Sequence, residues 1–115
     1  MPRPTHAISI RQPHVELILR GIKKAEYRSR PTNIRGRVYL YASKSPADWP
    51  AGWRKAGAEP GDLPTGIIVG TVEIVDCRWD GRWGRYAYGL RDPKRLKHKL
   101  YARNRPNPCF WRPEF

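Results

Sequence analysis

Arg11, Gln12, Lys23, Glu26 and Arg28 fall within one stretch, Ser9 to Arg28, SIRQPHVELILRGIKKAEYR. These residue types allow three kinds of chemistry. Arg11 and Gln12 carry donors suited to a phosphate or a base edge. Lys23 beside Glu26 can form a proton-transfer pair, or a nucleophile with its base. Glu26 among Lys23, Arg28 and Arg11 can equally be an ion-pair hub that orients the cations. The hub needs only proximity. Catalysis also needs a perturbed pKa, which residue types alone do not reveal.

The elements around these residues follow from pattern. His6 to Ile10 alternates with β-branched residues and reads as a short strand ended by Gln12-Pro13. Val15, Leu17, Ile18 and Ile22 form an apolar stripe at near-helical spacing, with Pro13 in the first turn and Gly21 closing the C-terminus. A helix that short needs a surface to pack on. Lys23 to Arg30 then alternates as a strand, Ala25, Tyr27 and Ser29 on one face and Lys24, Glu26, Arg28 and Arg30 on the other. A strand face made only of charges is either solvated or lines a polar cleft. Lys23 can join Glu26 and Arg28 only if it lies in the turn before regular alternation begins.

Further along, Gly36 to Ser43, GRVYLYAS, reads as a central strand with Val38, Leu40 and Ala42 opposed to Tyr39 and Tyr41. Ser45-Pro46 has the form of a helix start, though Pro50 shortens that helix or delays it. Thr65 to Trp79 is the longest β-run, with Gly66 and Gly70 marking close approach or bulging. Arg82 to Leu90 gives another strand, Asp92-Pro93 a capped turn opening a basic segment, and Cys109 to Arg112 a closing strand. Strands that do not alternate regularly with helices favour a small mixed barrel over a doubly wound sheet.

The chain has 115 residues and a formal net charge of +13. That length reads as one domain over residues 1–115. The charge is uneven: +7 over residues 1–43, −2 over 44–77 and +8 over 78–115. A field of this sign attracts phosphates and is the footprint of a nucleic-acid binder. Five Trp and six Tyr make the chain too aromatic for disorder despite a mean hydropathy of −0.76. No apolar run reaches the ~18–20 residues of a membrane span, and MPRPTHAISI lacks the apolar core of a signal peptide. The expected location is therefore the cytoplasm, with no membrane partner. Cys77 and Cys109 have no zinc-type spacing and are expected as packed free thiols. The three His share no ligand spacing, so no metal site and no cofactor are expected; a divalent ion held through substrate phosphate stays compatible with this sequence.

In RWDGRWGRYAYGLR, Arg82 and Arg85 alternate with Trp79, Trp83, Tyr86 and Tyr88. Such aromatics can stack bases while arginines hold phosphates. They can also be core or rim residues, as at least two of the four are expected to be. Lys94, Arg95 and Lys97 are either a phosphate-contact patch or a solvated face.

SIRQPHVELILRGIKKAEYR resembles the opening of an ASCH domain, a branch of the PUA-like superfamily. The shared pattern is a strand, an Arg-Gln-Pro-like step, a helix ending in Leu-x-Gly, then x-Lys-x-x-x-x-Arg. GRVYLYAS, GIIVGTVEIVDC and AYGLRDPKRL sit where that family has its later strands and its Trp/Leu-x-Pro-x-Arg-like segment. The resemblance implies an α+β fold, a small PUA-like mixed β-barrel of about five or six strands with two or three short helices. It also implies a cleft flanked by the first helix and RNA-related roles, in some members hydrolysis of N4-acetylcytidine or of RNA. Lys23 matches the family's lysine and Arg28 its strand arginine. The amidohydrolase members carry a Thr where this chain has Glu26, and their further Glu has no secure counterpart, Glu73 and Asp76 being merely nearby acids.

The resulting expectation is an RNA- or nucleotide-binding module using Arg11, Gln12, Lys23, Arg28, Arg30, Arg82, Arg85, Lys94, Arg95 and Lys97. The alternative is a hydrolase acting on a modified nucleoside, or a ribonuclease, with Lys23 and Glu26 as catalytic groups.

Overall fold

The structure, a computed structural model, describes residues 3–115; Met1 and Pro2, part of the expected domain, lie outside the described residues. The element order is β1 (Ala7–Ile10), α1 (His14–Leu19), β2 (Ala25–Arg28), β3 (Gly36–Ala42), α2 (Pro50–Ala56), β4 (Ile67–Asp80), β5 (Arg85–Leu100) and β6 (Phe110–Trp111). All six strands form one sheet in the order β2-β5-β4-β3-β1-β6. Only β1 and β3 pair in parallel. The fold is α+β and barrel-like, as expected.

The centre of the sheet shows why the sequence folds this way. β3 sends Val38, Leu40 and Ala42 into one apolar cluster and Tyr39 and Tyr41 into another on the opposite face. A strand with both faces covered must be interior, and β3 lies between β1 and β4. β4 pairs with β3 on one side and with β5 on the other. Its pairing with β5 slips register at three places, and such bulges bend and twist a long strand. Gly70 permits the closest approach: a Cβ there would stand 2.6 Å from the Lys94 carbonyl oxygen and 2.6 Å from Leu19 Cδ2.

α1 has six residues and buries Val15, Leu17 and Ile18. Burying aliphatic side chains of that size is worth about 1.5–3 kcal/mol each, which offsets the helix's weak intrinsic stability. It ends in a Schellman turn. Gly21, at φ 75°, donates to Ile18 O at 2.9 Å, and Ile22 donates to Leu17 O at 3.0 Å.

Three local expectations are corrected. The Ser45-Pro46 helix start is not used: α2 begins at Pro50, with Pro in the first turn. The segment before it is committed elsewhere, since Ala47 N–H donates to Gln12 O and Ala47 O accepts from Trp53 Nε1. The turn expected at Asp92-Pro93 is instead a bulge within β5, which runs on for 16 residues. Between Arg91, opposite Glu73, and Lys94, opposite Thr71, two residues face one. Asp92 adopts φ 53° there, and the ladder skips the proline that cannot donate to it. Finally, Cys77 is half-buried against the core but Cys109 is exposed, because the chain beside β1 uses its backbone, Cys109 O accepting from Ser9 N. The expected closing strand is present as the two residues of β6.

Arg28 links β2, at one end of the sheet order, to β1, next to the other end. From β2 its Nη2 donates to Ser9 O on β1 at 2.7 Å, and its Nη1 reaches Pro108 O at 3.4 Å. The seam between β2 and the β1 side of the sheet is thus bridged by a side chain where no backbone ladder runs.

Candidate functional site

The Schellman turn folds the chain back so that Lys23 N–H bonds Leu17 O, 3.1 Å away. Lys23 lies before β2, as its joining the cluster requires. Its ammonium then returns over the first residue of α1. Lys23 Nζ is 2.6 Å from His14 Nδ1 and 3.1 Å from Glu26 Oε1. An ammonium has only donors, so His14 Nδ1 is the acceptor and the imidazole is neutral. Burial and then the Lys23 charge push the His14 pKa down to about 4, with Arg28 acting in the same sense and Glu26 against it. The His14 ring stacks on Trp49, centroids 4.5 Å apart, and Lys23 Nζ lies 5.8 Å from the Trp49 ring centroid.

Glu26 is buried, 7% exposed, on β2. Its Oε2 accepts from Arg28 Nε at 2.9 Å. Its Oε1 has the Lys23 ammonium near it but no aligned hydrogen bond. Lys23, Glu26 and Arg28 therefore form an ion-pair hub, extended by His14.

The hub opens on a cleft of about 1060 Å³. Arg11 at the end of β1, Arg28 on β2 and Arg85 on β5 line it. Two further cations, Lys44 and Arg105, enter from loops. The Arg105 segment is held in place by Ser9, whose Oγ donates to Asn107 O at 2.6 Å. Glu26 and Asp48 are the carboxylates of the lining. Glu73 and Asp76 are not part of it; they pair with Arg91 and Arg78.

The other expected ligands lie elsewhere. Gln12 is 1% exposed; its Nε2 donates to Pro64 O at 3.0 Å and its Oε1 accepts from Glu16 N at 3.0 Å, so it anchors α1. Arg30 is exposed beyond β2. Arg82 sits on the β4–β5 turn, 3.2 Å from Asp80. Lys94, Arg95 and Lys97 lie far along β5 from Arg85, because the strand continues where a turn was expected; Lys97 is ~40 Å of extended chain from Arg85. Arg95 makes a two-pronged contact with Glu16, at 3.0 and 2.9 Å, and Arg20 adds a third bond at 2.7 Å. Burial pushes the Glu16 carboxyl up, but these arginines more than offset it and hold it below its usual range. Of the four interleaved aromatics, Tyr88 is buried and Tyr86 packs on the core, whereas Trp79 and Trp83 are exposed.

Sequence reasoning missed His14, Lys44, Trp49 and Arg105. His14 precedes Lys23 by nine residues, a spacing with no meaning until the turn at Gly21 folds one over the other. Lys44 and Arg105 come from loops whose convergence is a tertiary fact.

A curved mixed sheet with a cation-lined cleft beside its first helix defines a small α+β barrel. The ASCH domain model matches residues 8–105, and the chain belongs to the ASCH domain family. Among curated proteins it is similar to Activating signal cointegrator 1 of Homo sapiens and of Mus musculus, 35% identical to each over 80 residues. Those alignments cover 61% of this chain but 14% of the relatives' length.

Proposed function

We propose that this ASCH-family chain is an RNA- or nucleotide-binding module whose cleft takes phosphate. The observation that carries this is the state of the cleft's cations. Arg11, Lys44, Arg85 and Arg105 line it without an ion-pair partner among the described residues. Cations brought together and left uncompensated repel one another, and a phosphate relieves that repulsion. The net charge of +13 adds long-range attraction for a polyanion. A cytoplasmic site of action fits this reading. Among the described residues no helix is long and apolar enough to cross a membrane.

The test is fluorescence anisotropy of a labelled single-stranded RNA between about 50 and about 200 mM NaCl. Each phosphate contact contributes a log–log slope of about −0.7 for a single strand. Three or four contacts therefore give about −2 to −3, and Arg85→Ala with Arg105→Ala should make the slope shallower by about 1.4. An affinity indifferent to salt would sink the proposal.

A second reading is favoured by Lys23 and Glu26. An ammonium shared between a neutral His14 and a buried carboxylate with one under-used oxygen is a proton-handling arrangement. It would suit hydrolysis of an N4-acetylcytidine-type amide, in which water adds to the carbonyl, the C–N bond breaks and the N4 amine leaves with a proton as acetate forms, or hydrolysis of RNA. Mass spectrometry of both substrates, with and without Mn²⁺, separates the readings. Product that disappears with Lys23→Ala supports the hydrolase; intact substrates throughout leave a binder.

A further inference from the structure

A second hollow, of about 600 Å³, adjoins the cleft across the His14–Lys23 pair. The two share His14, Tyr27 and Arg85 as a common wall. Its character is different. Trp49, Trp83 and Tyr27 supply aromatic surface, and Leu17 and Ile22 supply aliphatic surface. Trp83 is 66% exposed and Ile22 50% exposed. Single exposed apolar residues are ordinary, but two at the mouth of an aromatic hollow leave a surface that a flat apolar ring would cover. Its polar rim is as distinctive. Lys23, Lys24, Lys55 and Arg85 present only donors, and no carboxylate lines it.

We infer that this hollow is a base subsite for single-stranded RNA, selecting bases with a keto oxygen at pyrimidine position 4 or purine position 6, uracil or guanine, while the phosphate of the same strand occupies the cleft. The inference rests on the RNA-binding reading and deepens it. Aromatic faces stack any base, because every base has a π-face. Selection has to come from the rim. At pyrimidine position 4 and purine position 6, uracil and guanine carry a keto oxygen that cationic donors satisfy, whereas cytosine and adenine carry an amino group that would point a donor at a donor and leave both unpaired. The shared wall sets the geometry: Arg85 faces both compartments, so it can reach a phosphate while the attached base lies beside Trp83.

The experiment uses the full chain and two fluorescein-labelled RNA tetramers, all-uridine and all-adenosine, which carry equal charge. Anisotropy titrations at one fixed salt concentration compare wild type with Trp83→Ala. Trp83 is exposed, and a matched melting temperature will establish that the variant folds. Wild type should bind the uridine tetramer about tenfold more tightly than the adenosine tetramer. Adenine, refused by the donor rim, is not seated against Trp83 and binds through phosphate alone, so Trp83→Ala should lose about tenfold on uridine and leave adenosine unchanged, removing the preference. Equal, salt-dependent binding of both tetramers by wild type would overturn the base subsite and leave the RNA-binding reading standing. A preference for adenosine, or a uridine preference untouched by Trp83→Ala, would also overturn it. No binding of either tetramer would overturn both.

Discussion

Arg28 holds the barrel seam, and Arg28→Lys tests how much. Lysine keeps the charge near Glu26 but has one nitrogen where arginine uses three. The Nη2 bond to Ser9 O, 2.7 Å long and charge-assisted, is the interaction lost. Such bonds are worth about 1.5–3 kcal/mol net. The side chain is 20% exposed, which places this one near the lower end, at about 2 kcal/mol. The 3.4 Å contact to Pro108 O is at the surface and adds little. With an unfolding entropy of about 2.1 cal/mol/K per residue, a chain of 115 residues loses roughly 8 °C for 2 kcal/mol. Arg28→Met also leaves Glu26 with Lys23 alone and should cost about 4 kcal/mol, roughly 17 °C. Thermal unfolding followed by circular dichroism reads both. Arg30→Ala, two residues away and exposed, is the control and should melt within about 2 °C of wild type. If Arg28→Lys also melts within about 2 °C of wild type, the seam is not held by this side chain and Arg28 is a ligand group only.

The half-buried His14 makes a pH prediction. Its folded pKa is about 4 against 6.5 for the free group, so between these values the unfolded chain binds a proton that the native protein refuses. The contribution to stability is fully present above about pH 6.5 and is lost as the pH falls toward 4. His14→Gln should flatten that part of the melting-temperature profile, and a ring NMR titration with a midpoint near 6.5 would contradict the assignment. Gly70→Ala places a methyl against the Lys94 carbonyl, which is backbone and can yield only by moving β5 from β4. It should destabilise by about 2–3 kcal/mol, visible as a melting temperature roughly 10 °C lower; an unchanged melt would mean that the strands have slack there.

Local pattern alone determined most of the elements. The alternation of GRVYLYAS placed β3 in the interior, Gly21 ended α1, and the β-branched run from Thr65 became β4. The ASCH resemblance and the Lys23–Glu26–Arg28 cluster were also legible, because these residues lie within one turn and one strand of each other, where local geometry decides contact. Tertiary structure decided the rest. Gln12 went to the scaffold because the chain entering α1 needed its amide, and Lys94, Arg95 and Lys97 went to the far part of β5 because a bulge absorbed Pro93. His14, Lys44 and Arg105 reached the cleft from places far apart in the chain. The sign and size of the charge are sums over residue types and need no fold. Where that charge is left uncompensated depends on which acids fold beside which cations, and only the packed chain sets that.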